Sequence, residues 1–183
     1  MAGAAGSRVE RPTLPRRILD GLYDGAAALA GLFMVVLLVM VMLSIIGRQL
    51  HFNIPGVDAY AGYMMAAAGF LALAHTLKRG EHIRVTLLLA SLHGRVRRAL
   101  EIWALFAASF LAVLFAAYSC KLAWQSNAFH DISTSNDATP LWLPQLSMAL
   151  GTVVLAIAFI DELVLEVRGR RVVLEPTEAL RNE

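Results

Sequence analysis

The chain has 183 residues, 58% of them apolar, with a mean hydropathy of +0.62; ordinary soluble domains carry about 45–50%, so a soluble globular domain is excluded and lipid is the expected solvent. Only 16% of residues are charged, gathered in short blocks between long uncharged runs, and the formal net charge of +2 comes with no extended basic face or interleaved stacking aromatics to hold a nucleic acid. The single cysteine, Cys120, rules out an internal disulfide, a multi-cysteine zinc site and an iron–sulfur cluster, and its place in an apolar run predicts a buried, inert thiol.

Four uncharged runs follow in order, 26–46, 59–77, 102–120 and 140–160, each about 20 residues long. At 1.5 Å per residue such a run crosses a hydrocarbon core of roughly 30 Å. Backbone polar groups in lipid must be satisfied internally, and runs without period-two alternation do not suit barrel strands. The fold class is therefore all-α, an integral membrane protein with helical spans at about 24–46, 57–77, 100–120 and 140–162. The first run is longer than the 7–15 residues of a secretory core and continues into Ser44-Ile45-Ile46-Gly47-Arg48, so it reads as a retained helix.

Basic residues set the expected orientation. Arg8, Arg11, Arg16 and Arg17 precede span one, Lys78, Arg79, Arg84, Arg95, Arg97 and Arg98 lie between spans two and three, and Arg168, Arg170, Arg171 and Arg181 follow span four. Only Arg48 and Lys121 occupy the other two loops. Basic flanks stay on the cytoplasmic side, so both termini and the middle loop are expected inside. The resulting layout is a cytoplasmic N-terminal segment, 1–21, a four-helix membrane domain, 22–167, and a cytoplasmic tail, 168–183.

Span two is rich in small residues, with Ala59, Ala61, Gly62, Ala66, Ala67, Ala68, Gly69, Ala72 and Ala74. Small residues let helix backbones approach closely where lipid removes the hydrophobic drive. This helix is expected to be buried in protein, and Gly62, Ala66 and Gly69, nearly one above another, form its candidate partner-packing face. Packing on the chain's own spans explains the same composition. Ala108, Ala112 and Ala116 give span three a small face, whereas span one, rich in Val, Leu, Met and Ile, is expected to face lipid.

In the middle loop, Val85, Leu88, Leu89 and Leu92 recur at i, i+3, i+4 and i+7, which predicts an amphipathic interfacial helix at about 80–94. Glu81 near its start and Arg95, Arg97 and Arg98 near its end complement the helix dipole. It reads equally as a dock for a partner and as a connector lying on the membrane. The outer segment 121–139 is polar and leads to Pro140-Leu141-Trp142-Leu143-Pro144, where proline suits a first helical turn and Trp142 the headgroup level. It is the largest surface offered to the outside, or simply a solvated turn.

Transport chemistry needs ionisable or polar groups near the midplane. Asp24, Asp58, Glu101, Asp161 and Glu162 all fall at span ends, and no pair of broken helices is present to cradle substrate and ion. Of five histidines only His75 lies within a span, so no opposed pair could ligate haem, and His75 reads as an interfacial or helix-bonding residue. No catalytic or phosphate-binding motif occurs, so neither an enzymatic activity nor a cofactor is expected.

Gly69-Phe70-Leu71-Ala72-Leu73-Ala74, followed by Lys78-Arg79-Gly80-Glu81-His82-Ile83-Arg84-Val85, resembles the end of the second helix and the motif after it in small membrane subunits of tripartite ATP-independent periplasmic (TRAP) transporters. Gly47-Arg48 with Phe52-Asn53-Ile54-Pro55 is similar to the family's outer loop, and Pro140-Leu141-Trp142-Leu143-Pro144 with Gly151 to its fourth-helix entry. Two features depart: only Asp58 stands where the family often has an aromatic and paired acids, and Thr86 stands where it often has Asp. The resemblance implies a multi-pass subunit of the bacterial inner membrane that supports a large permease subunit in sodium-coupled uptake of an organic anion delivered by a periplasmic binding protein. Lys78, Arg79, Glu81, His82, Arg84, Val85, Leu88, Leu89 and Leu92 make up the candidate interfacial motif. The alternative is an assembly or anchoring subunit of an unrelated membrane complex.

Overall fold

In the computed structural model, described over residues 14–52, 55–78, 95–134 and 138–169, four helices account for nearly all regular structure. They are α1 (Leu14–Gln49), α2 (Val57–Lys78), α3 (Arg95–Ala128) and α4 (Trp142–Val167). All four are long and apolar enough to cross a membrane. The expected interfacial helix at 80–94 lies outside the described residues.

Two helices outrun the spans expected for them. α1 has 36 residues and α3 has 34, about 54 and 51 Å at 1.5 Å per residue, well beyond a hydrocarbon core. Charge ends an uncharged run without ending a helix: Arg16 pairs with Asp20 and Arg97 with Glu101, each one turn apart on its own helix. The polar segment 121–139 accordingly begins as helix and turns only after Ala128.

The C-terminal ends of α1 and α3 close in the same way. Phe52 N–H donates to Gly47 O at 2.8 Å, with His51 at φ 54°; Asp131 N–H donates to Ser126 O at 2.9 Å, with His130 at φ 55°. This is the Schellman arrangement, with histidine where glycine is usual. Gly47 is needed at the first of them, because a Cβ there would lie 2.7 Å from Phe52 O.

The helices pack in the order α1, α2, α4, α3, each mainly against its neighbour, with a light contact of α1 on α4. Where α1, α2 and α4 meet, Tyr23, Ala26, Ala74, Leu77, Val154, Leu155 and Ala158 form the main core. Between α3 and α4, Ala112, Ala116 and Ala156 form a second. The buried side of α3 runs Leu105, Ser109, Ala112, Ala116, Ser119, Ala123, Ser126, steps of four and three that give a continuous seam of mostly small residues. Ala108, expected on that face, lies at its half-buried edge. Cys120 falls beside the seam and is exposed, so the buried thiol expected from its apolar neighbours is corrected by helical phase.

The most enclosed helix is α4, with 39% of its apolar window buried against 28% for α2 and 6% for α1. Gly151 makes this possible by letting the α2 backbone at Phe70 close on α4. Thr152, fully buried, satisfies its hydroxyl on Met148 O and Ala149 O of its own helix.

Candidate partner interface

α2 has two unlike sides. Ala67, Ala68, Leu71, Ala74 and Leu77 are buried against the neighbouring helices. Gly62, Ala66 and Gly69 lie on the other side and are exposed. A Cβ built on Gly62 or Gly69 would meet nothing within 4 Å. The small residues thus divide by helical phase: one set packs within the chain, and the candidate set presents a shallow strip beside Met65, itself 67% exposed. An apolar strip without side-chain bulk admits another helix to close backbone contact.

Polar groups flank this strip at both ends. At the end of the bundle where α1 starts and α2 ends, Arg16 donates to Asp161 of α4 at 3.2 Å and stands 3.8 Å from Asp20. Asp20 accepts from Lys78 of α2, whose ammonium also lies 5.0 Å from the Tyr23 ring centroid. His75 Nδ1 lies 3.7 Å from Asp24, beyond hydrogen-bond length. Three helices are therefore tied at one level by partly buried ion pairs, where removing one partner costs more than at a fully exposed site. His75 accordingly sits at the α1–α2 contact.

At the opposite end, Ser44 donates to Asp58 at 2.8 Å, and the exposed Arg48 approaches the same carboxylate at 3.5 Å. Tyr60 and Tyr63 meet edge to face with centroids 5.9 Å apart. Their hydroxyls catch the loop between α3 and α4: Tyr63 donates to Ser133 at 2.9 Å and Tyr60 accepts from Thr139 at 3.0 Å. Within the loop, Ser133 N–H donates to Thr139 O and Leu141 N–H to Asp131 O around the Ile132–Pro140 bridge. The loop between α3 and α4 is thus fastened to α2 at Ser133 and Thr139 rather than being a freely solvated turn. Sequence reasoning missed these two tyrosines; the available signal was an aromatic pair at i, i+3 at the outer start of a span.

Of the interfacial motif, Lys78 is placed in the inner ion-pair network, while Arg79, Glu81, His82, Arg84, Val85, Leu88, Leu89 and Leu92 lie outside the described residues. Among the described residues no group of three or more His, Cys, Asp or Glu is arranged to hold a metal ion. The sequence matches the family model described as tripartite ATP-independent periplasmic transporters, DctQ component, over residues 37–169. No curated protein matches the chain.

Proposed function

This chain belongs to the DctQ component family of TRAP transporters and is the small, non-enzymatic membrane subunit of such a transporter; from that premise, we propose that the strip formed by Gly62, Ala66 and Gly69 on α2 docks the large permease subunit. The observation that carries the proposal is that these three residues are exposed while Ala67, Ala68 and Ala74 of the same helix are buried against its neighbours. A second helix seated there would gain close van der Waals contact with little side-chain entropy to lose.

Within the complex, the large subunit holds the substrate and sodium sites, and a periplasmic binding protein delivers an organic anion. The chain lies in the bacterial inner membrane with both termini and the middle loop cytoplasmic, in keeping with the distribution of arginine and lysine. Residues 22–167 form the membrane domain.

The test is co-purification of the large subunit with Ala66→Leu, with Val35→Leu on the exposed face of α1 as control. Ala66→Leu is expected to lose the partner while the isolated subunit keeps its yield and thermal stability, since the position is exposed. Equal retention of the large subunit by the two variants would refute the docking strip.

A further inference from the structure

We propose that the outward face of α3 is a lipid-facing boundary of the assembled transporter, anchored at the two headgroup levels by Trp103 and Trp124. Both indoles stand out from the chain, 68% and 77% exposed. They are twenty-one residues apart on one uninterrupted helix, about 31 Å at 1.5 Å per residue, which is the thickness of the hydrocarbon core. Tryptophan prefers each edge of that core, where its ring is apolar and its N–H is wet.

The residues between and beyond the two indoles agree with this placement. Phe106, Phe110 and Tyr118 are exposed between them, and no charged residue occurs from Trp103 to Cys120. Just inside Trp103 comes the Arg97–Glu101 ion pair. Near Trp124 comes Lys121, the first charged residue after the apolar stretch, whose ammonium lies 6.0 Å from the Tyr118 ring centroid.

The neighbouring helix supplies an independent ruler. Arg98 donates to Val167 O at 3.4 Å, which sets α3 and α4 in register at their inner ends. Counting equal rises along the antiparallel pair puts Trp103 within about a turn of Glu162 and Trp124 within about a turn of Trp142. Glu162 adjoins Asp161 of the inner ion-pair network, and Trp142 opens α4. Two helices thus mark the same two levels with different residues.

The chemistry of the face selects phospholipid over a protein neighbour. Close helix association uses small residues, and the buried small residues of α3 form the seam against α4, while Trp103, Phe106, Phe110, Tyr118 and Trp124 stand outward. The large subunit therefore contacts the chain elsewhere. This inference rests on the reading that the chain assembles with a large permease subunit.

The experiment attaches a spin label at Phe110→Cys, Trp103→Cys or Trp124→Cys, each in a Cys120→Ser background. Measurements are made on the isolated subunit and on its complex with a cysteine-free large subunit, both in phosphatidylethanolamine–phosphatidylglycerol nanodiscs. Collision with oxygen is compared with collision with a water-soluble nickel chelate. The label at position 110 is expected to favour oxygen several-fold over the positions at 103 and 124, equally with and without the large subunit. Loss of oxygen access at 110 on assembly would make this face a protein interface, and nickel access at 110 or an equal ratio at all three positions would remove the bilayer levels; either overturns the proposal. Failure of the subunits to co-purify would count against the transporter assembly alone, and the isolated subunit would still decide the lipid face.

Discussion

A Cβ on Gly151 would lie 2.5 Å from the carbonyl oxygen of Phe70, so α4 and α2 touch at a point where no side chain fits. Because the obstructing atoms include backbone, the neighbour cannot swing aside. Gly151→Ala is expected to destabilise the subunit by about 1–3 kcal/mol, the usual cost of overpacking, despite alanine's better helix propensity. Gly62→Ala and Gly69→Ala meet open space and should leave thermal unfolding of the isolated subunit in detergent unchanged or slightly raised. Similar losses in all three variants would show that the glycines act through the helix backbone alone.

The contact between Arg16 and Asp161 joins the start of α1 to the end of α4, 145 residues apart in sequence. Reversing either charge, Arg16→Glu or Asp161→Arg, should cost about 1–3 kcal/mol by leaving a partly buried charge without its partner. The double reversal should recover part of that loss, in a double-mutant cycle read from thermal unfolding. Additive losses would place the stabilisation with Asp20 or Lys78 instead.

Tyr63→Phe removes the hydroxyl that holds Ser133, and Tyr60→Phe the one that holds Thr139. Each should leave α2 and α3 intact while raising amide hydrogen exchange in residues 129–134 and 138–141, because a net hydrogen bond contributes about 1 kcal/mol to local closure. Unchanged exchange in the double variant would mean that the loop's own backbone bonds suffice.

Single cysteines replacing Arg8, Arg84 and Arg170 are expected to be shielded from an impermeant thiol reagent outside intact cells, and those replacing Arg48 and Ser135 to be labelled, all in a Cys120→Ser background. The expectation follows from the distribution of basic residues. Labelling at position 84 from outside would invert the orientation.

Much of this architecture was legible in the sequence because lipid imposes a simple rule on composition. Four uncharged runs gave four helices long and apolar enough to cross a membrane. Helix ends were less legible: α1 and α3 continue through Arg16 and Lys121, since ion pairs and water support a helix as well as lipid does. The division of α2 into a packed side and a free side was hidden by its uniform composition. Ala66 and Ala67 are neighbours of the same type, and only helical phase against α1 and α4 separates them. The fastening of the outer loop by Tyr60 and Tyr63 joins residues about 70 to 80 positions apart, and no local pattern announces such a pairing.

The neighbour order α1, α2, α4, α3 has a topological consequence. A closed ring of four helices encloses an axis of its own, whereas among the described residues α1 and α3 make no substantial contact that would complete one. A row has no inside. Each helix of a row keeps part of its surface free of its own neighbours, open to lipid or to another protein. What the row offers in exchange is area: four helices side by side present more surface per residue than a closed bundle, and so can widen the intramembrane footing of whatever moves beside them.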